Sequence, residues 1–420
     1  MNEAPTTTET PTPARKRRFR AVLSIRALIL LVMLIGGGLG WMAHSARVQR
    51  EAVAIIEQSG GNVQYDYDYR LGQRWFASPQ WLIDAVGIDY LDTVVTVMTA
   101  AGDEEYNMKA IEQLPHLEWL TLDSSHLVTV AGPKNLERFS QLRYLDLFYA
   151  KGTRATFPSL KGLNRLEHLK IVNINVTDAD LDNLAGMDQL WDLTIDTDSD
   201  QITDKGLAKL AALPALTSLT VKSRAISDAG LAHLARLNSL SELSLDRAKL
   251  TTIAPIQALS DLTTLSLRDC PITDVGLAPM AELKNLITLD VSGTLLSDVG
   301  LTHLRELTQV QKLSLSKTKI TDAGLAQLSG LSMLSELDLS GTSVGDPGVA
   351  HLVGLKLVSL NLSDTKLTDA GLLQLVKAGP YRLITVNNTA VTWAGLDAAK
   401  RASPTTDIVA RPPGFRCVDE

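Results

Sequence analysis

Two cysteines, Cys270 and Cys417, are all that this chain of 420 residues contains, so no disulfide framework holds it together. Aromatic residues make up only 5% against 45% hydrophobic residues overall, which leaves the packing of any core to leucine and its aliphatic relatives. There is no Walker A loop, no H-E-x-x-H and no C-x-x-C, and the seven histidines are scattered. Three of them, His233, His303 and His351, fall at one position of a repeating unit, which suits surface or packing rather than a ligand cluster. No catalytic residue, metal site or cofactor is therefore expected, and the chain does not read as an enzyme. Positive charge is also short: the net charge is −7. Residues 1–50 carry eight Lys/Arg against two Asp/Glu, a net of +6, which leaves −13 on the other 370 residues. A segment this acidic is a poor partner for nucleic acid.

What the chain does have is a period. Asp178, Asp204, Asp228, Thr252, Asp274, Asp298, Asp322, Asp346, Asp369 and Trp393 follow one another at steps of 26, 24, 24, 22, 24, 24, 24, 23 and 24 residues. A fixed step of this size marks a solenoid, in which each unit packs only on its neighbours. Between successive acids runs L-x-x-L-x-L-x-x-[T/C/A]-x-[I/L], as in Leu286, Leu289, Val291, Thr294 and Leu296. Its alternating centre predicts a short strand. The following stretch, "TDAGLAQLSGL" from Thr321, predicts a short helix with Thr321 or Asp322 at its N-cap. The periodic aspartates are surrounded by leucines and have no partner base, so they are expected to cap helices rather than catalyse. Twelve units start at residues 117 to 381, and a degenerate one from Leu91 opens the array. The unit "KLTTIAPIQALSDL" lacks D-x-G-L and is shorter, so it should lack a full helix.

These units resemble the leucine-rich-repeat family, in particular bacterial membrane-anchored members and the subclass with Cys or Thr at the turn and D-x-G-L at the helix start. Cys270 occupies that turn position and is expected to be buried. The resemblance implies an α/β solenoid, a horseshoe with a parallel concave sheet and short convex helices, over roughly residues 88–400. It further implies that function lies in protein binding on the concave face.

Residues 1–20 read as a disordered basic tail, and Ala21–Ala43 is an apolar run interrupted only by Arg26. It is long enough to cross a bilayer, and it is longer than the apolar part of most cleaved signal peptides. Five basic residues precede it, so the tail is expected in the cytoplasm and the repeats outside the cytoplasmic membrane. Residues 44–87 are expected to form a juxtamembrane helix and an N-terminal cap, with "RWFASPQWL" covering the first repeat. Residues 401–420 read as a C-terminal tail.

Register alone lists the side chains on the concave face. At its N-terminal end they include Trp119, Tyr144, Phe148 and His168, with Tyr149 at the strand edge, while the distal columns hold Ser316, Ser340 and other small polar residues. The aromatic cluster suits the anchor of a protein interface, and it equally suits packing under the N-terminal cap. The partner is expected to be a protein. The alternatives are lateral self-association in the cell envelope and an adaptor resembling ubiquitin-ligase receptors, the latter opposed by the apolar run.

Overall fold

The computed structural model describes residues 25–66, 80–99, 104–124, 136–149, 157–197, 199–379 and 381–411. They fall into two compact units, the first holding residues 25–50 and 80–91 and the second the rest.

Helix α1 (Ile25–Gln58) begins in the first unit and joins the apolar run to the expected juxtamembrane helix without a break. Its residues Ile29–Ile35, Leu39, Trp41 and Met42 are exposed and apolar on every side of the helix. A helix apolar all round has no burial of its own in water. By length and composition this one can cross a membrane, a property that a signal sequence near the N-terminus shares. Within the same unit Arg50 pairs with Asp89 at 3.1 Å. The last two turns of α1, Glu51–Gln58, belong to the second unit, where Ala52, Val53 and Ile56 enter the core. Gly60, at φ 83°, ends the helix.

The second unit is built on one sheet of fifteen strands in sequence order: β1 (Asn62–Tyr65), β2 (Val94–Met98), β3 (Trp119–Ser124), β4 (Tyr144–Tyr149), β5 (His168–Val172), β6 (Asp192–Asp196), β7 (Ser218–Val221), β8 (Glu242–Ser244), β9 (Thr264–Ser266), β10 (Thr288–Asp290), β11 (Lys312–Ser314), β12 (Glu336–Asp338), β13 (Ser359–Asn361), β14 (Leu383–Thr385) and β15 (Asp407–Val409). β1 pairs antiparallel with β2, and every later pair is parallel. The degenerate unit from Leu91 thus opens the parallel array, and β15 extends it beyond the twelfth unit into the segment read as a tail. β1 and the end of α1 supply the residues that meet the first coil. In the stretch expected to do so, residues 74–79 lie outside the described residues, and Trp81 is 69% exposed.

Leucine fills the core because its column repeats at every coil. Leu286, Leu289, Val291 and Leu296 are all at most 1% exposed, and their counterparts in the coils on either side are at most 3%. After β5 and after β8 to β14 the chain turns through a left-handed residue, such as Asp269, Gly293, Lys317, Gly341 and Asp364. The next residue is turned inward. Thr294, Thr318, Thr342 and Thr365 each donate a hydroxyl to the carbonyl three residues earlier, at 2.6–2.7 Å. Cys270 takes this place in its coil and reaches back to the Leu245 carbonyl at 3.2 Å. Burial pushes its thiol up to about 12, so it is an inert ladder residue.

The aspartates do more than cap. Where a side chain caps the helix it is the hydroxyl residue before the aspartate: Ser227 accepts from the Ala229 N–H, and Thr368 from the Ala370 N–H, whereas the turn expected to be capped by Thr321 or Asp322 starts at Ala323 as a 3-10 segment. The aspartate carboxylate instead reaches the next coil. Asp298 accepts from the Thr321 N–H at 2.8 Å and from its hydroxyl at 2.6 Å. The same pair of bonds joins Asp178 to Thr203, Asp204 to Ser227, Asp274 to Ser297, Asp346 to Thr368 and Asp369 to Thr392. The glycine of D-x-G-L explains itself here. A Cβ on Gly324 would collide with Asp298 Oδ1, and one on Gly230 with Asp204 Oδ1. The motif is therefore a latch whose acid lies in one coil and whose glycine lies in the next.

At Thr252 the latch is replaced by backbone. The Gly276 carbonyl accepts from Ile253 N–H at 3.1 Å and from the Thr252 hydroxyl at 3.3 Å. This coil forms only the 3-10 turn Ala254–Ile256, as its short sequence leads one to expect. The turns after Asp298 and Asp322 are 3-10, at Gly300–Leu304 and Gly324–Gly330, whereas Asp346–Leu352 is α-helical, a difference the sequence does not announce.

Denaturant unfolding of single and double variants checks the latch. Asp298→Ala should cost about 2 kcal/mol, because it removes two hydrogen bonds to a charged group. Gly324→Ala should cost about 2 kcal/mol by overpacking. Combined, they should cost at least 1 kcal/mol less than their sum, roughly the coupling of touching groups. Strict additivity would show that acid and glycine do not share one joint.

Candidate binding surface on the open sheet face

Alternation along each strand sends Leu120, Leu145 and Leu169 into the core and their neighbours to the other face of the sheet. Parallel register then sets Trp119, Tyr144, His168, Asp192 and Ser218 side by side across β3 to β7. The Trp119 and Tyr144 rings stack with centroids 4.8 Å apart and an interplanar angle of 19°. Tyr144 and His168 follow at 6.0 Å, tilted by 32°. All three side chains are half-buried. The strands that carry them are also the longest, with six residues in β3 and β4 against three from β8 onward.

A polar rail runs beneath the rings. The Trp119 indole N–H donates to Thr121 Oγ1 at 3.1 Å, and that hydroxyl donates to Asp146 at 3.3 Å. His168 closes the rail: Nε2 lies 2.9 Å from Asp146 and Nδ1 lies 2.6 Å from Asp192. Only an imidazolium donates from both nitrogens. Its hydrogen bonds to Asp146 and Asp192 outweigh burial and raise the His168 pKa to about 9. For Asp192, burial pushes upward, but the hydrogen bond and charge of His168 hold its carboxyl below the ordinary range. Cations flank the rings as well. Arg143 lies 5.9 Å from the Tyr144 centroid while gripping Glu167 with two nitrogens, and Lys170 lies 5.2 Å from the Phe148 centroid.

The expected cluster is thus brought together in part. Trp119, Tyr144 and His168 form one row. Phe148 is half-buried on the same face but sits four residues farther along β4, opposite Asp123 and Val172, and belongs to a second row. Tyr149 is not a surface residue: it follows Phe148, so alternation turns it into the core, where it is 2% exposed. Thr96, which pairs with Trp119, is 1% exposed, so this face is closed at β2. The residues that sequence reasoning passed over are Thr121, Asp146 and Lys170, whose partners emerge only when adjacent strands are in register. The distal serines bond to one another, as Ser292 to Ser314 at 2.6 Å and Ser340 to Ser316 at 3.1 Å, and leave a small polar surface.

One further motif match, G-T-S-V-G at residues 341–345, places Ser343 at an exposed turn position where neighbouring coils hold Leu295 and Lys319. Among the described residues no histidine bonds it, and it follows the buried ladder residue Thr342 on the outer side of the turn. Asp66 is half-buried just after β1, and Cys417 lies outside the described residues. Among the described residues no three His, Cys, Asp or Glu side chains group as metal ligands.

Residues 258–281, 330–353 and 355–376 match the family model described as Leucine Rich repeat. The array is a leucine-rich-repeat solenoid. No curated protein matches the chain. Solved structures similar to these leucine-rich repeats include an internalin of Listeria monocytogenes, with 24% identity over 69% of this chain and 86% of that one and a TM-score of 0.49. A leucine-rich-repeat protein of Leptospira interrogans has 19% identity over 71% and 86%, with a TM-score of 0.45. A plant peptide hormone receptor in complex with RGF2 has 13% identity over 72% and 60%, with a TM-score of 0.38.

The His168 clamp makes the stability of these leucine-rich repeats depend on pH in a stated direction. A folded-state pKa of about 9 lies above the ordinary 6.5, so the clamp stabilises fully below about 6.5 and is lost as pH rises through about 9. Between pH 7 and 10 the wild type should lose about 2 kcal/mol more than His168→Gln, the scale of hydrogen bonds to a charged group. Urea unfolding at both pH values measures this, and equal losses in the two proteins would remove the clamp.

Proposed function

We propose that the chain is a leucine-rich-repeat scaffold that binds a protein partner, held at the cytoplasmic membrane by the apolar part of α1 with its repeats outside the cytoplasm. The observation that carries the binding reading is the half-exposed row of Trp119, Tyr144 and His168. A chain with 5% aromatic residues sets two stacked rings and a charged imidazole side by side, on its longest strands. Rings of this kind bring large contact area at small entropic cost and recur as interface anchors. The row is suited to binding rather than to catalysis, because both nitrogens of His168 are already engaged by carboxylates and neither is available as a base. Support for the membrane placement comes from the uncharged residues 27–43 and the five basic residues at 15–20.

Crosslinking the full-length protein in its own envelope and capturing it tests the proposal. A foreign protein should come down in stoichiometric amount, and Tyr144→Ala should weaken its binding by roughly 2 kcal/mol, about thirtyfold. Capture of its own copies alone would replace this reading with a self-associating envelope protein, and full binding by Tyr144→Ala would remove the row as the site. Protease added outside intact cells should cut away the repeats and leave a small membrane-bound N-terminal fragment. Protected repeats would overturn the placement, and a mature N-terminus near Arg47 would show α1 to begin in a cleaved signal.

A further inference from the structure

The sheet ends on an open edge, because β15 is the last of the fifteen strands and pairs with β14 alone. The main chain of Asp407, Val409 and Arg411 faces β14. The Asp407 N–H donates to the Arg382 carbonyl at 2.9 Å, and the carbonyls of Val409 and Arg411 accept from the N–H groups of Val386 and Asn388 at 2.9 and 3.0 Å. Main-chain groups of alternate residues point to opposite edges of a strand, so the N–H and C=O of Ile408 and Ala410 point away from β14. Among the described residues nothing pairs with these four groups. Side chains alternate as well: Ile408 enters the core, whereas Asp407, Val409 and Arg411 are exposed. Among the described residues no ion pair engages Asp407 or Arg411.

We propose that β15 pairs antiparallel with the β15 of a second copy of this chain, about a twofold axis that passes between the two Val409 residues. A twofold joint needs an edge that complements itself. Three registers bring outward main-chain groups together, and the sequence decides among them. Centred on Ile408, the pairing sets Ala410 opposite Thr406, whose N–H is already donated to the Ser403 carbonyl at 3.3 Å. Centred on Ala410, it sets Ile408 opposite Pro412, which has no N–H. Centred on Val409, it sets Ile408 of each copy opposite Ala410 of the other, and all four outward groups of each copy find a partner. The side chains select the same register. It places Asp407 of each copy opposite Arg411 of the other, and it brings the two Val409 side chains, each 43% exposed in the single chain, together on the axis. Facing residues of this non-hydrogen-bonded kind have Cα atoms about 4.5 Å apart, near enough for opposite charges to pair.

A joint made by one short strand belongs with weak and transient contacts. Anchoring on a common membrane through α1 raises the local concentration of copies and so favours the joint without being required for it. The joint goes beyond the reading of a foreign protein partner and is independent of it, since it uses β15 and leaves the aromatic row on β3 to β5 untouched.

Disulfide trapping of the full-length protein in detergent tests the joint, in a Cys417→Ser background so that only introduced thiols react; Cys270 is buried. Val409→Cys puts two thiols on the axis, within the Cα separation of a disulfide. Under diamide it should link copies at least about tenfold faster than Thr405→Cys, an exposed position whose two copies this register holds roughly 26 Å apart along the strands. Adding Arg411→Asp to Val409→Cys sets carboxylates opposite one another and should slow trapping about tenfold. Adding Asp407→Arg as well exchanges the charges and should restore the rate to within about threefold of Val409→Cys alone. All four positions are exposed, and an unchanged unfolding midpoint certifies each variant before trapping. Equal trapping at Val409 and Thr405 overturns the joint. So does an unchanged rate on adding Arg411→Asp, or a charge-exchanged variant that stays as slow as the one carrying Arg411→Asp alone.

Discussion

The carboxylate that one coil extends to the N-cap of the next is the interaction on which the rest of this molecule depends. Leucine burial is strong but forgiving, because a column of similar side chains can slide by a fraction of a residue at little loss. Two short hydrogen bonds from a backbone N–H and a hydroxyl to a charged oxygen tolerate no such slip. From Asp178 onward the coils are locked in this way, and the strands on their other side continue the parallel register that runs from β2 to β15. Register is what lines up Trp119, Tyr144, His168 and Asp192, and the first latch, Asp178 to Thr203, stands behind the last step of that row.

The coil at Thr252 shows what the latch contributes by lacking it. Its neighbour still docks, through the Gly276 carbonyl, but the contact is made by main chain and the helical turn shrinks to three residues. That irregular coil directly follows Arg247 and Lys249, which with Asp269 and Pro271 line a surface pocket where the repeat pattern changes. At the other end of the array the long strands β3 and β4 carry the rings. The two features occupy separate coils, and each depends only on the local coil-to-coil joint, as expected of a molecule whose units meet only their neighbours.

Much of this was legible before any coordinates, and the reasons are physical. A 24-residue step with alternating leucines leaves one arrangement in which every leucine is buried, so the solenoid, the core columns and the ladder place of Cys270 could be read directly. The direction of the aspartate bonds could not. Within one coil, T-D-x-G reads as a helix cap, and only the next coil reveals that Asp298 is held by Thr321 and excludes a side chain at Gly324. Tyr149 was misplaced by treating a strand end as an edge, although strict alternation after Phe148 points it inward. Trp119, Tyr144 and His168 were listed in their correct column, but the clamp of Asp146 and Asp192 on His168 is a cross-strand contact that no single stretch of sequence displays.

Hydrogen exchange at the amides of Thr203, Ser227, Ser297, Thr321 and Thr368 tests the central claim most directly. These residues sit partly exposed at helix starts, where an amide with no partner exchanges quickly. If each is held by the aspartate of the preceding coil, all five should exchange as slowly as sheet amides such as that of Leu289, and Asp298→Ala should release Thr321 while leaving Thr203 protected. Exchange of all five at the rate of an open loop would contradict the latch, and with it the account of how the coils are held in register.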